Sequence, residues 1–240
     1  MIQPATGSRA AVPSVFGALS ERRTMTDAVY EQLKTAIVEL RIPPGAPLRE
    51  ADIAQGLSVS KTPVREALGR LEQDGLVTLN SFRSALVTEY TARDLQEIYE
   101  LREIIEVAAA RAAAESMSDK GLADLGRIAS ECVRLNAEGG GGDGPELVQL
   151  ISEFDTVLYE EVRNRRIRAI LDNLAAHLAR IGRLTTEIPG RIDASVREHA
   201  QIYEAIKRRD PENASRFMRE HIRSVRDDQL RALPAQGAER

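Results

Sequence analysis

At 240 residues, with 42% hydrophobic and 29% charged residues, the chain has the composition of an ordinary globular protein of one or two domains, each large enough to bury a core. No stretch approaches the roughly 18 uninterrupted apolar residues of a membrane span. The one cysteine, Cys132, cannot form an internal disulfide and fits a reducing cytoplasm. The formal net charge is −4, and residues 1–90 hold ten Lys/Arg against ten Asp/Glu, so the remainder carries the whole excess and bulk charge does not announce a polyanionic partner.

The first twenty residues lack a basic segment followed by an apolar one, and they read as a disordered tail rather than a signal peptide. Val29, Leu33, Ile37 and Leu40 then recur at helical spacing after Thr26, an N-cap by residue type. Arg41-Ile-Pro-Pro-Gly45 ends that helix, since proline blocks continuation and glycine permits a turn. Two short helices are expected over about 50–55 and 61–74, separated by Gly56-Leu57-Ser58. Leu76–Leu79 and Ala85–Thr88 are β-prone runs around a polar tip, Asn80–Ser84, and predict a small hairpin. From Thr91 the pattern is helical, broken at Ser118–Gly121, Asn136–Pro145, near Asn164, at Ile188–Gly190 and at Asp210-Pro211. The glycine-rich run 139–145 reads as a flexible connector. No strand precedes it and no Gly-Lys-Ser/Thr follows, as a phosphate-cradling loop requires.

The helix expected over 61–74 has two faces. Val64, Ala67, Leu68 and Leu71 share one side and pack inward. Lys61, Thr62, Arg65 and Gly69 fall together on the other. Ser60 is placed to cap its start, and Pro63 is tolerated because first-turn N–H groups have no intrahelical partner. Such a face suits a helix lying in a major groove, with Gly69 letting the backbone come close. Arg65 is able to fork onto a guanine edge or onto a phosphate, and the sequence does not choose between them. Short helix, glycine turn, basic-faced helix and a hairpin tipped by Arg83 is the order of parts in a winged helix-turn-helix.

Pro44-Gly45, Leu48-Arg49-Glu50, Ile53-Ala54 and, above all, the segment Val59-Ser-Lys-Thr-Pro-Val-Arg-Glu-Ala-Leu-Gly-Arg-Leu-Glu-Gln-Asp-Gly-Leu-Val77 resemble the GntR family of bacterial transcription regulators, from about Ala28 to Val87. The resemblance implies that Arg49, Lys61, Thr62, Pro63, Arg65 and the wing around Arg83 face DNA. The family's wing tip usually reads Asn-Arg-Gly; here it is Phe82-Arg83-Ser84, and the lost glycine restricts tip geometry. Asp94–Glu106, Glu198-His199 and Met218-Arg-Glu-His-Ile222 resemble the FCD domain of the FadR-like subgroup over most of 91–230. That domain is a helical bundle enclosing a carboxylate or sugar-acid effector, often beside a metal ion. The expected organisation is a tail (1–20), a winged helix-turn-helix (21–90), an all-helical effector-binding and dimerisation domain (91–232) and a flexible tail (233–240), mainly α overall.

Three positions in the second unit carry chemistry. Arg102 lies inside the apolar stripe Leu95, Ile98, Ile105, Ala109, Ala112, and a guanidinium there needs an anionic partner. Glu106 one turn on and an effector carboxylate are both candidates. His199 and His221 lie at equal separations either side of Asp210, so an antiparallel helix pair brings both imidazoles to one height on one core. The family's Asp-x-x-Phe-His ligand pattern reads Ile151-Ser-Glu-Phe154-Asp155 here. Asp155 therefore stands where a histidine is expected, and Ile151 cannot ligate. Asp155, His199 and His221 form a candidate two-His-one-carboxylate set for Zn, Mn, Ni or Fe. The alternative is that the metal site is lost and the histidines bond the effector directly. His177 reads as surface or core filler. A metal-dependent enzyme built on Asp155, His199 and His221 lacks a nucleophile elbow, a His-Glu-x-x-His motif and a tied general base. The expectation is a cytoplasmic homodimer, not an enzyme, that binds double-stranded operator DNA and a small organic acid and makes no membrane contact. Two-fold symmetry then matches half-sites about one helical turn apart; release from DNA on effector binding, the behaviour of a repressor, is the expected response.

Overall fold

The computed structural model describes residues 24–80, 84–138 and 144–233. Arg83 at the expected wing tip, the expected N-terminal tail, residues 139–143 of the glycine run and residues 234–240 lie outside the described residues.

Helix α1 (Met25–Val38) opens on a capping box. Thr24 Oγ1 accepts from the Asp27 amide while the Asp27 carboxylate accepts from the Thr24 amide. The cap is therefore Thr24 and not Thr26, because only Thr24 has an acid three residues on; the Thr26 hydroxyl instead donates to Glu66 at 2.7 Å. Strand β1 (Pro47–Arg49) leads directly into α2 (Glu50–Gly56), then α3 (Lys61–Gln73), β2 (Val77–Asn80) and β3 (Ser84–Val87). The three strands form an antiparallel sheet in the order β1-β3-β2, with Leu48 opposite Ala85 and Val77 opposite Val87. The expected hairpin is present, and β1 adds a strand that sequence periodicity did not flag, since three residues beginning with proline carry no readable alternation. Ile37, Val64, Ala67, Leu71 and Leu76 are fully buried in the core this unit builds, and each of the larger ones contributes about 1.5–3 kcal/mol.

The rest is helical: α4 (Ala92–Ser116), α5 (Asp119–Glu138), α6 (Pro145–Glu160), α7 (Arg165–Thr185), α8 (Arg191–Lys207) and α9 (Pro211–Ala232). A second capping box, Thr91 with Asp94, starts α4, and Asn164 caps α7 through bonds from the Arg166 and Ile167 amides. Asp210, accepting from the Asn213 amide, turns α8 back into α9. Helix α9 runs against both α4 and α8. Tyr99, Ile128, Phe154, Leu158, Ile202 and Met218 close a core separate from the first. Helix α7 touches both: Ile181 belongs to the bundle core, whereas Ala176 packs on the N-terminal core. Among the described residues no helix is long and apolar enough to cross a membrane.

Candidate DNA-reading face and effector site

On α3, Val64, Ala67, Leu68 and Leu71 are buried, while Lys61, Thr62 and Arg65 are exposed and Pro63 and Gly69 half-buried. The basic side is therefore free to meet another molecule. Ser60 is the N-cap residue, but its side chain makes no capping bond, so the expected cap is positional only. Arg49, exposed, stands at the N-cap of α2. Arg65 reaches back to α2 and forks onto Glu50, Nε to Oε1 at 3.0 Å and Nη2 to Oε2 at 2.9 Å. The buried Glu50 carboxylate lies in the first turn of α2, where the positive end of the helix favours an anion. A Cβ built on Gly69 meets nothing within 4 Å, so that face is open to an approaching surface.

The second cluster forms where α4, α6, α8 and α9 converge. His199 is stacked on Phe154, with centroids 4.5 Å apart and planes 5° apart. It also lies 4.7 Å from the His221 ring, so the structure brings the two imidazoles together. His221 Nδ1 is 2.7 Å from Glu198 Oε2, which fixes its orientation. Both ring nitrogens of His199 and the Tyr159 hydroxyl are buried without a hydrogen-bond partner among the described residues. Burial, then electrostatic interaction with His221, Arg191 and Arg102, holds the His199 pKa well below 6.5; the ring is neutral and offers one donor and one acceptor. Burial first and Glu106 second push Asp155 up to about 7, with Arg102 opposing them. The same two causes keep Tyr159 protonated.

Arg102 is buried and bonds Glu106, Nε to Oε1 at 2.6 Å, so of the two partners open to it the structure supplies the one on its own helix. Arg191, unremarked in the sequence, is 1% exposed. It holds Ser224 at 2.7 Å and Asp228 at 2.9 Å, and also grips Glu198, which in turn orients His221. An arginine in the first turn of a helix opposes the helix dipole. That mismatch was the available signal that Arg191 has specific anionic partners.

Residues 25–87 match the family model for bacterial regulatory proteins of the gntR family, and residues 97–224 match the FCD domain. The chain belongs to the GntR family. This GntR-family regulator is 29% identical over 195 residues to the HTH-type transcriptional regulator YdhC of Bacillus subtilis, covering 80% of this chain and 85% of that one. It is 25% identical over 213 residues to the HTH-type transcriptional repressor RspR of Escherichia coli, covering 86% and 90%. Its fold superposes on E. coli McbR/YncC with a TM-score of 0.70 at 23% identity, over 87% of this chain and 98% of that one.

Whether the FCD unit of this GntR-family regulator fits a metal ion turns on its donors. His199 Nε2 stands 3.7 Å from Asp155 Oδ1, too far for a hydrogen bond, and Ile151 supplies no ligand. Among the described residues no three His, Cys, Asp or Glu side chains come together as a metal-holding group. Asp155 and His199 approach each other, and His221 is oriented by Glu198 through Nδ1, an arrangement that does not by itself bar ligation through Nε2; among the described residues the expected Asp155, His199 and His221 set does not form a metal-holding group. With Ile151 at one expected ligand position, the residues present do not supply the full donor set that the family suggests.

Proposed function

We propose that this GntR-family protein is a homodimeric, effector-responsive transcriptional repressor. Its α3 face (Lys61, Thr62, Pro63, Arg65 and Gly69), together with Ser60, Arg49 and Arg83, reads operator DNA. Its helical bundle takes a small effector at His199, His221 and Arg102. The observation that carries the first half is the outward, exposed position of Lys61, Thr62 and Arg65 above a buried apolar side. The second half rests on His199, a buried neutral ring with two unpartnered nitrogens, because native cores rarely leave buried polar atoms unsatisfied. The repressor sign draws on the name of the relative RspR.

The histidines bind the effector directly, by hydrogen bonds, a mode favoured because no three metal donors gather among the described residues. Organic and sugar acids are the class that the Arg102 guanidinium invites, and their carboxylate shares it with Glu106. Gel shifts on the gene's own upstream region, titrated across salt, test the DNA half. Specific binding weakens steeply, with a log–log slope near −0.9 per neutralised phosphate, and salt-independent binding or none refutes it. Thermal-shift screening of organic and sugar acids, wild type against His199→Ala/His221→Ala, tests the effector half, and metal analysis of the purified protein tests the direct mode. A stabilising acid that acts equally on the variant refutes the site, and a stoichiometric divalent metal refutes the direct mode.

A further inference from the structure

Helix α7 carries His177 and Arg180, three residues apart, on the side facing the DNA-reading unit. The His177 ring is bonded at both nitrogens, Nδ1 to Tyr90 Oη at 2.8 Å and Nε2 to the Asp74 carbonyl at 2.6 Å. Asp74 is the C-cap of α3, and a Cβ on Gly75 would come within 3.3 Å of the same ring. His177 is thus no filler; it sits against the exit of the recognition helix. Arg180 donates to the Thr88 carbonyl, just past β3.

Arg180 is 0% exposed, yet it makes no ion pair among the described residues, and its Nε and Nη1 have no hydrogen-bond partner there. What faces it is Tyr90, its ring 4.8 Å from guanidinium carbon to centroid and its hydroxyl nearby, with the Glu89 carboxylate a weaker attraction outside ion-pair distance. A dry guanidinium against a neutral ring is a poor substitute for hydration or a carboxylate. A junction built only for permanence is better served by an apolar side chain at this position. On its other side α7 is fastened to the bundle. Gln229 of α9 donates to the Ile181 carbonyl at 2.8 Å and to Thr185, and accepts from Tyr99 Oη at 3.1 Å. The Tyr99 ring lies 5.0 Å from the Arg102 guanidinium.

We propose that the α7 contact with the DNA-reading unit is a releasable latch: His177 holds it shut, and Arg180, dehydrated and without an ion pair among the described residues when docked, favours its opening. A ligand that displaces α4 or α9 bears on the latch through Tyr99 and Gln229, and it shifts the latch only as far as it binds the open and shut forms unequally. The regulatory meaning rests on the proposed DNA-reading and sensing roles, whereas the latch itself is a property of the unliganded protein.

Hydrogen exchange of the full chain without ligand tests it directly, comparing amides in 73–78, 88–90 and 174–182 with those of α5 as an internal control. Arg180→Met and Arg180→Leu, which remove the charge and keep bulk, slow exchange at the junction by about tenfold, while His177→Ala speeds it, since exchange there reports local opening. Faster or unchanged exchange in both Arg180 variants, or failure of both to fold, makes Arg180 a plain structural support and overturns the latch. Gel shifts on the wild type decide the DNA-reading role separately, so either result can fail while the other stands.

Discussion

Arg65 grips Glu50 across the helix-turn-helix with two parallel bonds of 3.0 and 2.9 Å, although the arginine side chain is 58% exposed and the glutamate 9%. A guanidinium has five N–H donors, so the fork onto Glu50 fixes its plane and leaves the remaining donors pointing outward. Arg65 is therefore preset rather than consumed, and its entropy of ordering is offset before DNA arrives. Arg65→Ala lowers operator affinity more than about tenfold, well beyond what the accompanying fall in thermal midpoint from loss of the Glu50 fork accounts for, measured by gel shift beside thermal unfolding. Arg65→Lys separates the two contacts open to it. Lysine retains a phosphate contact but cannot fork onto a guanine edge, so recovered affinity without recovered sequence preference identifies base reading. An Arg65→Ala protein that shifts the operator normally removes α3 as the reading helix.

Leu101 and Ile104 of α4 are 38% and 72% exposed, and Ile104, Val107 and Ala108 line a groove shared with Arg216 and Arg219 of α9. An apolar strip on the longest helix is the natural place for a second copy of the chain to pack. If the proposed homodimer packs through this strip, Ile104→Glu gives a monomer in sedimentation while leaving the circular dichroism unchanged. Operator affinity falls by about 100-fold or more, because the two half-sites are no longer joined. A variant that stays dimeric places the interface elsewhere.

The inward and outward sides of α3 were legible from spacing alone, because Val64, Ala67, Leu68 and Leu71 sit at helical intervals with no competing pattern. The helix breaks were legible too, for Asp210-Pro211 and Asn164 carry their own local chemistry. Arg102 was half legible: its burial followed from the stripe, but an i,i+4 acid and a ligand carboxylate satisfy the same requirement, and only coordinates show Glu106 in place. The Arg65–Glu50, Arg191–Asp228 and His177–Asp74 contacts join residues 15, 37 and 103 positions apart. They depend on how elements dock, which no local periodicity encodes. Ile151 and Asp155 depart from the ligand pattern that the resemblance implies, but whether Asp155 compensates depends on how α6 docks against α8 and α9, which spacing does not encode.

His177 ties the junction to pH. Burial lowers its pKa below 6.5, opposed by the Asp74 carbonyl, so the unfolded chain takes up a proton at pH values where the folded ring stays neutral. The unfolded state then binds more protons, and stability falls as pH drops below 6.5 until the folded pKa is reached; above 6.5 this contribution is flat. His199 adds a fall of the same sign, so the useful measure is the difference between proteins. Urea midpoints between pH 7.5 and 5 decline less steeply for His177→Gln than for wild type. Parallel curves contradict a buried neutral His177.

Gln229 bonds α4, α7 and α9 together, through Tyr99 Oη, the Ile181 carbonyl and Thr185. In Gln229→Leu the Ile181 carbonyl keeps the Thr185 hydroxyl as a donor at 2.7 Å, but the buried Tyr99 hydroxyl loses its acceptor. A stranded buried hydroxyl costs about 1–3 kcal/mol, equivalent to a fall of roughly 2–4 °C in thermal midpoint per kcal/mol for a chain of this size. If the stranded hydroxyl is the cause, removing it as well relieves the loss. Tyr99→Phe with Gln229→Leu is then less destabilised than the sum of the two single variants, a coupling that a double-mutant cycle reads directly. Strict additivity means that Tyr99 and Gln229 do not act as a unit, and the connection from α4 to α7 then has to run through apolar packing instead.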